Sequence, residues 1–170
     1  MLSEVNLKVR RAELNDLDEL VEFTAAEARE AEGCTKDAKT LVNGIKAALK
    51  DRSIAMYWLL INKDNQPVGN VSALKEWSDW NAGYYWWIQS MYIRPDYRGK
   101  GYMDLLLDAT KSEMKEQNGL ELRLYVHENN QAAIRAYRKA NFTFSKYRIM
   151  IQKNLYNSHA EGLFFWRHPR

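Results

Sequence analysis

Along residues 84–93 apolar and aromatic side chains fill most positions of both parities, a pattern that predicts a central strand covered on both faces. Upstream, residues 54–62 form a β-rich run, Asp64-Asn65-Gln66-Pro67 reads as a turn, and residues 68–75 return, which predicts an antiparallel hairpin. Residues 5–10 alternate as a first strand. The period then changes: Leu17, Leu20, Val21, Thr24 and Ala28 keep helical spacing, Asn15 is placed as the N-cap and Gly33 as the stop. A second helix is expected from near Thr35, with Ala38, Leu41, Val42, Ile45 and Leu49 on one stripe.

Beyond Pro95 the helical period returns through Met103, Leu106, Leu107, Thr110 and Met114, and Asn118-Gly119 ends it. Residues 120–127 read as a strand. Asn130 caps a short helix bearing Ala133, Ile134 and Tyr137 on one side, and residues 142–153 are expected to resume β structure. The order β-α-α-β-β-β-α-β-α-β describes a mixed α/β fold. A strand, helix and strand between Trp86 and His127 imply one right-handed parallel crossover in a mostly antiparallel sheet.

A chain of 170 residues suffices for one domain, and no repeat, low-complexity tract or Pro/Gly/Ser-rich linker divides it. We read 1–170 as a single domain with its core over about 5–153 and an extension over 154–170. That extension ends in an apolar run, Leu163-Phe164-Phe165-Trp166, expected to pack on its own domain or on a second subunit, as in a homodimer. The net charge of +3 carries no clustered basic stripe, so nucleic acid is not implied. Cys34 stands alone, which excludes an intrachain disulfide and a paired-thiolate metal site; no metal is expected. Without a secretory start or a run of about 18 apolar residues, the expected location is cytoplasmic, away from membranes.

The most informative segment is Arg98-Gly99-Lys100-Gly101-Tyr102-Met103, which leads from the central strand through a glycine turn into a helix. The first turn of a helix exposes unpaired N–H groups and the positive end of its dipole, and glycines let an anion approach the backbone closely. Arg98 and Lys100 add positive charge. On spacing alone, a tight turn with solvated basic residues accounts for the segment as well.

Preceded by Tyr92-Ile93-Arg94-Pro95-Asp96-Tyr97, this segment resembles the acetyl-CoA signature R/Q-x-x-G-x-G/A of the GNAT N-acetyltransferase superfamily. Downstream, Asn130-Gln131-Ala132-Ala133-Ile134-Arg135-Ala136-Tyr137-Arg138-Lys139-Ala140-Asn141-Phe142 is similar to the family's N-x-x-A-x-x-x-Y-x-x-x-G-F. The resemblance implies a central, mostly antiparallel sheet of about six to seven strands with one parallel crossover, flanked by about four helices. It implies acetyl-CoA as cosubstrate and transfer of acetyl to a primary amine by direct attack. The backbone of Met91, Tyr92 and Ile93 would pair with the pantetheine arm, Arg98 through Met103 would cradle the pyrophosphate, and Asn130 would face the CoA arm. Tyr137 would stand near the sulfur and protonate the leaving thiolate, which a phenol of pKa about 10 can do only if held protonated and within reach. The two parallel strands would splay, freeing a backbone N–H near Met91 to polarise the carbonyl.

Three positions depart from the family pattern. Met103 replaces a glycine or alanine. Asn141 replaces the glycine before Phe142, and tolerates a left-handed conformation better than most residues. Gln89 lies where several relatives carry a glutamate proposed as general base, and an amide cannot accept the proton. Glu76 and Asp79, ahead of the central strand, are the alternative candidates for base or acceptor-cleft residue; both fit solvated loop carboxylates as well. His127 ends a strand beside the cleft, where structural histidines are common. The acidic first helix suggests a small cationic amine as acceptor, although a solvated face explains it too. Trp77, Trp80, Trp86 and Trp87 are read as pocket wall or core. Protein N-terminal or lysine acetylation is the rival activity, and a CoA-binding module with little turnover is the rival of another class.

Overall fold

The computed structural model describes residues 7–154. Five strands, β1 (Lys8–Arg11), β2 (Met56–Ile61), β3 (Pro67–Ser78), β4 (Gly83–Ile93) and β5 (Leu122–Leu124), form one sheet in sequence order. The first three pairings are antiparallel, and β5 joins β4 in parallel. Four helices accompany them: α1 (Leu17–Glu32), α2 (Ala38–Lys50), α3 (Tyr102–Glu116) and α4 (Gln131–Lys139). Among the described residues no helix is long and apolar enough to cross a membrane.

Strand β2 shows how the sheet is covered. All six of its residues are buried, and alternation sends Met56, Trp58 and Leu60 to one core with Leu106 and Leu107 of α3. Tyr57, Leu59 and Ile61 go to another core with Leu20 and Phe23 of α1 and Ile45 and Ala48 of α2. Burying a side chain such as Leu20 or Phe23 contributes about 2 kcal/mol.

Helix limits follow local chemistry. A short 3-10 turn, Leu14–Asp16, precedes α1, so the N-cap is Asp16 and not Asn15. Asp16 is buried, and its carboxylate takes both prongs of Arg10 at 2.8 Å, which draws that residue into the cap position. Gly33 closes α1 with φ 65°. Helix α2 starts at Ala38 instead of Thr35 because the Asp37 side chain accepts from the Thr40 N–H at 2.8 Å. Asn130 caps α4 as its spacing predicts, and Asn141 ends that helix with φ 67°.

The C-terminal expectation fails in the described part. Residues 142–154 carry no strand, so the described sheet has five strands against the about six to seven expected. A strand exists only where a neighbour takes its N–H and C=O groups, and no described strand pairs with this segment. Phe144, Tyr147, Ile149, Met150 and Ile151 are accordingly exposed. Among the described residues the outer edge of β5 has no partner strand either, and β5 is shorter than the run of residues 120–127 suggested. Residues 5–6 of the expected first strand, and the apolar tail from Leu163, lie outside the described residues.

Candidate active site

The site is built where β4 outlasts its neighbour. Pairing with β5 covers only Trp86 with Leu122, Trp87 with Arg123 and Ile88 with Leu124, while β4 continues to Ile93. A bulge falls in the same stretch: opposite Ser72 and Ala73 the register jumps from Ser90 to Ile88, so Gln89 is the extra residue, unpaired and exposed. Beyond the bulge, the Ser90 N–H donates toward β3, reaching Ser72 Oγ at 3.1 Å. The next N–H, on Met91, points to the side that β5 has left, because successive amides alternate along a strand.

That N–H has a partner from α1. It donates to Glu27 Oε1 at 3.1 Å, and the Ser90 hydroxyl stands close enough to donate to the same carboxylate. Burial outweighs these donors and pushes the Glu27 carboxyl up to about 7; the charges of Glu32 and Glu30 add to the rise. In the sequence Glu27 is one acid among several on the first helix. The available signal was periodic: Glu27 lies three residues after Thr24 and seven after Leu20, so it shares the buried stripe.

Tyr137 reaches the region from α4. Its ring meets Phe142 edge-on, with centroids 5.6 Å apart, and burial followed by the charge of Glu27 pushes its phenol up to about 12. The phenol therefore stays protonated at neutral pH. Asn130 Oδ1 accepts from the Ala133 N–H at 3.1 Å, so its carbonyl end is committed to capping α4.

At the far end of β4, Gly99 and Gly101 hold φ of 72° and 79°, and a Cβ built on either meets no atom within 4 Å. The backbone thus needs glycine for its conformation, and the space over it is open. Among the described residues no side chain caps the start of α3. Open space, uncapped first-turn amides and nearby Lys100 and Arg98 fit a pyrophosphate. Arg98 is already engaged: Nε donates to the Ile93 carbonyl at 2.7 Å and Nη2 pairs with Glu30 at 2.8 Å. Lys100 Nζ donates to the Asp96 carbonyl at 2.9 Å. Tyr92 stacks on Phe23 of α1, and Tyr102 and Met103 turn into the core that contains Leu106 and Leu107, which keeps the large Met103 side chain off the open face.

Other expected site residues stand apart. Glu76 and Asp79 are exposed near the tip of the β3–β4 hairpin, and Glu76 lies five residues beyond Val71, the partner of Met91, about 17 Å along the strand. Trp77 and Trp80 are exposed at the same tip, Trp80 to 89%, whereas Trp86 is fully buried. Trp87 stacks on Tyr125 at 4.6 Å beside an open cleft of about 1190 Å³ along the free edge of β5, which Tyr137 and Phe142 also line. His127 Nδ1 accepts from the Asn129 N–H in the turn before α4. Of the acids on α1, Glu22 and Glu30 face the cations Arg94 and Arg98.

A sequence model described as the acetyltransferase (GNAT) family matches residues 20–142. Among solved structures, a possible acetyltransferase from Clostridium difficile 630 shares 31% identity with a TM-score of 0.82, covering 89% of this chain and 99% of that one. A predicted acetyltransferase with acetyl-CoA from Clostridium acetobutylicum shares 21% identity (TM-score 0.72, 86% and 96% covered). An aminoglycoside acetyltransferase from an uncultured soil metagenomic sample, in complex with sisomicin, shares 16% (TM-score 0.69, 88% and 96% covered). No curated protein sequence matches the chain significantly. On these grounds the chain is an acyltransferase and belongs to the acetyltransferase (GNAT) family.

Proposed function

We propose that this protein transfers acetyl from acetyl-CoA to the primary amine of a small cationic acceptor, by direct attack and without a covalent enzyme intermediate. The observation that carries the reading is the Met91 N–H, turned out of the sheet at the point where β5 leaves β4. An amide fixed there is preorganised to hydrogen-bond the thioester oxygen as charge builds on it. On the same strand, the glycine turn and the uncapped start of α3 suit the cosubstrate's phosphates. The phenol of Tyr137, protonated at neutral pH, is suited to give its proton to the departing thiolate.

The acceptor is inferred from charge. Glu27 is the carboxylate on this side of the splay that no cation neutralises among the described residues, which favours a protonated amine. We place the acyl chemistry in the cytoplasm and residues 1–170 in a single domain.

Thiol release from acetyl-CoA, measured over polyamines, amino acids, aminoglycosides and short peptides, tests the reading. Turnover on a small cationic amine is expected. Preference for peptides would move the acceptor to protein N-termini or lysines, and CoA binding without turnover on any amine would make the protein a binding module.

A further inference from the structure

We propose that Glu27 of α1 takes the proton from the acceptor ammonium, stationed at the splay by the Met91 N–H and backed by a buried polar chain through Ser90, Ser72 and Tyr57. The assignment rests on the acetyl-transfer reading and names the residue that completes it.

Position is the first argument. Glu27 Oε1 sits on the amide best placed to polarise a thioester, so an amine attacking that carbonyl arrives beside this carboxylate. The alternatives are excluded by place or chemistry. Gln89 carries no acid, Glu76 and Asp79 lie far along the hairpin, and Asp16, Glu22 and Glu30 are bound to Arg10, Arg94 and Arg98.

The surroundings are the second argument. From its own helix Glu27 faces Glu30 and Glu32, from β2 the Tyr57 phenol, and from α4 the Tyr137 phenol. The cations that follow β4, Arg94 and Arg98, pair with Glu22 and Glu30. Thr24 Oγ1 and both side-chain polar atoms of Asn70 are buried without a partner among the described residues, and the register puts Asn70 opposite Tyr92, on the α1 face of the sheet. That face is therefore polar where a core would otherwise be dry. A carboxyl pushed up to about 7 is matched to proton transfer at neutral pH.

One coupling follows from the shared amide. The Met91 N–H lowers the proton affinity of Glu27, so a thioester oxygen that claims this N–H leaves a stronger base behind. In the balanced sequence, Glu27 takes one proton from the ammonium, and the free amine forms the C–N bond as the C–S bond breaks. The thiolate takes the Tyr137 proton, and the phenolate recovers the surplus proton from the new amide nitrogen. Glu27 then returns its proton to water.

Protein labelled with ¹³C at the glutamate carboxyls, titrated without ligand, should show one resonance with a midpoint near 7 that disappears in Glu27→Gln; a midpoint in the ordinary carboxylate range overturns the assignment. With whichever panel amine the wild type acetylates, Glu27→Gln should cut turnover roughly 100-fold and remove the acidic limb of the kcat/KM profile. Glu27→Asp should recover part of the rate, and acetyl-CoA affinity by calorimetry should change less than about threefold. Unchanged turnover and limb in Glu27→Gln sink the assignment alone. No thiol release by the wild type with any amine sinks the acetyl-transfer reading and this assignment with it.

Discussion

Arg98 Nη2 bridges both carboxylate oxygens of Glu30, at 3.0 and 2.8 Å, and so ties the turn after β4 to the last part of α1. Both side chains are about half-exposed, so the pair contributes less than about 1 kcal/mol to stability. Its larger effect is on the field at the glycine turn. Arg98 keeps a second anchor, the Ile93 carbonyl, when Glu30 is neutralised.

Glu30→Gln should therefore tighten CoA binding, by about threefold at low ionic strength and less as salt screens the site. Calorimetric titration with CoA at two salt concentrations measures this, and thermal melting should hardly move. Weaker binding in the variant would mean that Glu30 positions Arg98 and does not merely neutralise it.

Gly101 holds its left-handed backbone in open space, so a side chain there meets strain and no collision. Valine at this φ costs about 1–2 kcal/mol or more, and relief of that strain would turn the first-turn amides of α3 away from a phosphate. The expected outcome for Gly101→Val is a modest fall in melting temperature with at least about a tenfold loss of CoA affinity. Loss of turnover with CoA affinity intact would contradict this placement.

Tyr137→Phe removes a hydroxyl and keeps the ring that packs on Phe142. Turnover should fall by about 100-fold, while acetyl-CoA affinity stays within about threefold. Because the phenol is pushed up to about 12, it should impose no basic limb on the wild-type rate below about pH 11. Steady-state kinetics across pH, paired with calorimetry, separates these effects. A large change in affinity with unchanged turnover would place Tyr137 in binding and not in proton transfer.

Features set by a few neighbouring residues were legible in the sequence. Gly33 and Asn141 end helices in the left-handed region, Asn130 caps α4, and the glycines of the phosphate turn adopt the positive φ that only such residues take without strain. The N-cap of α1 moved by one residue because Arg10, six residues back on β1, pairs with Asp16 across the turn, a contact that the spacing of the helix alone does not signal. Residues 142–153 read as a strand since alternation suggests one, but pairing depends on a partner that local sequence cannot supply. Glu27 was overlooked for a related reason. A single acid on a helix gains meaning only when the sheet beneath presents a free amide, and the bulge at Gln89 and the short β5 that free Met91 are tertiary facts.

The raised carboxyl of Glu27 also makes a stability prediction independent of any substrate. Its folded-state value of about 7 lies above the unfolded value of 4.5, so the folded protein binds this proton more tightly. Stability is then highest below the unfolded value and falls as pH rises toward the folded one, by about 3 kcal/mol in total. Asp16 acts in the opposite direction: Arg10 holds its carboxyl low, so its contribution is present at neutral pH and is lost on acidification. Comparing Glu27→Gln with the wild type cancels the Asp16 term, because both proteins retain that pair. Urea unfolding at pH 5 and pH 8 should show the variant gaining on the wild type between the two, by most of that 3 kcal/mol. A difference that stays flat with pH would mean that Glu27 is ionised in the folded protein at no cost, and that the carboxylate is not poised to take up a proton at neutral pH.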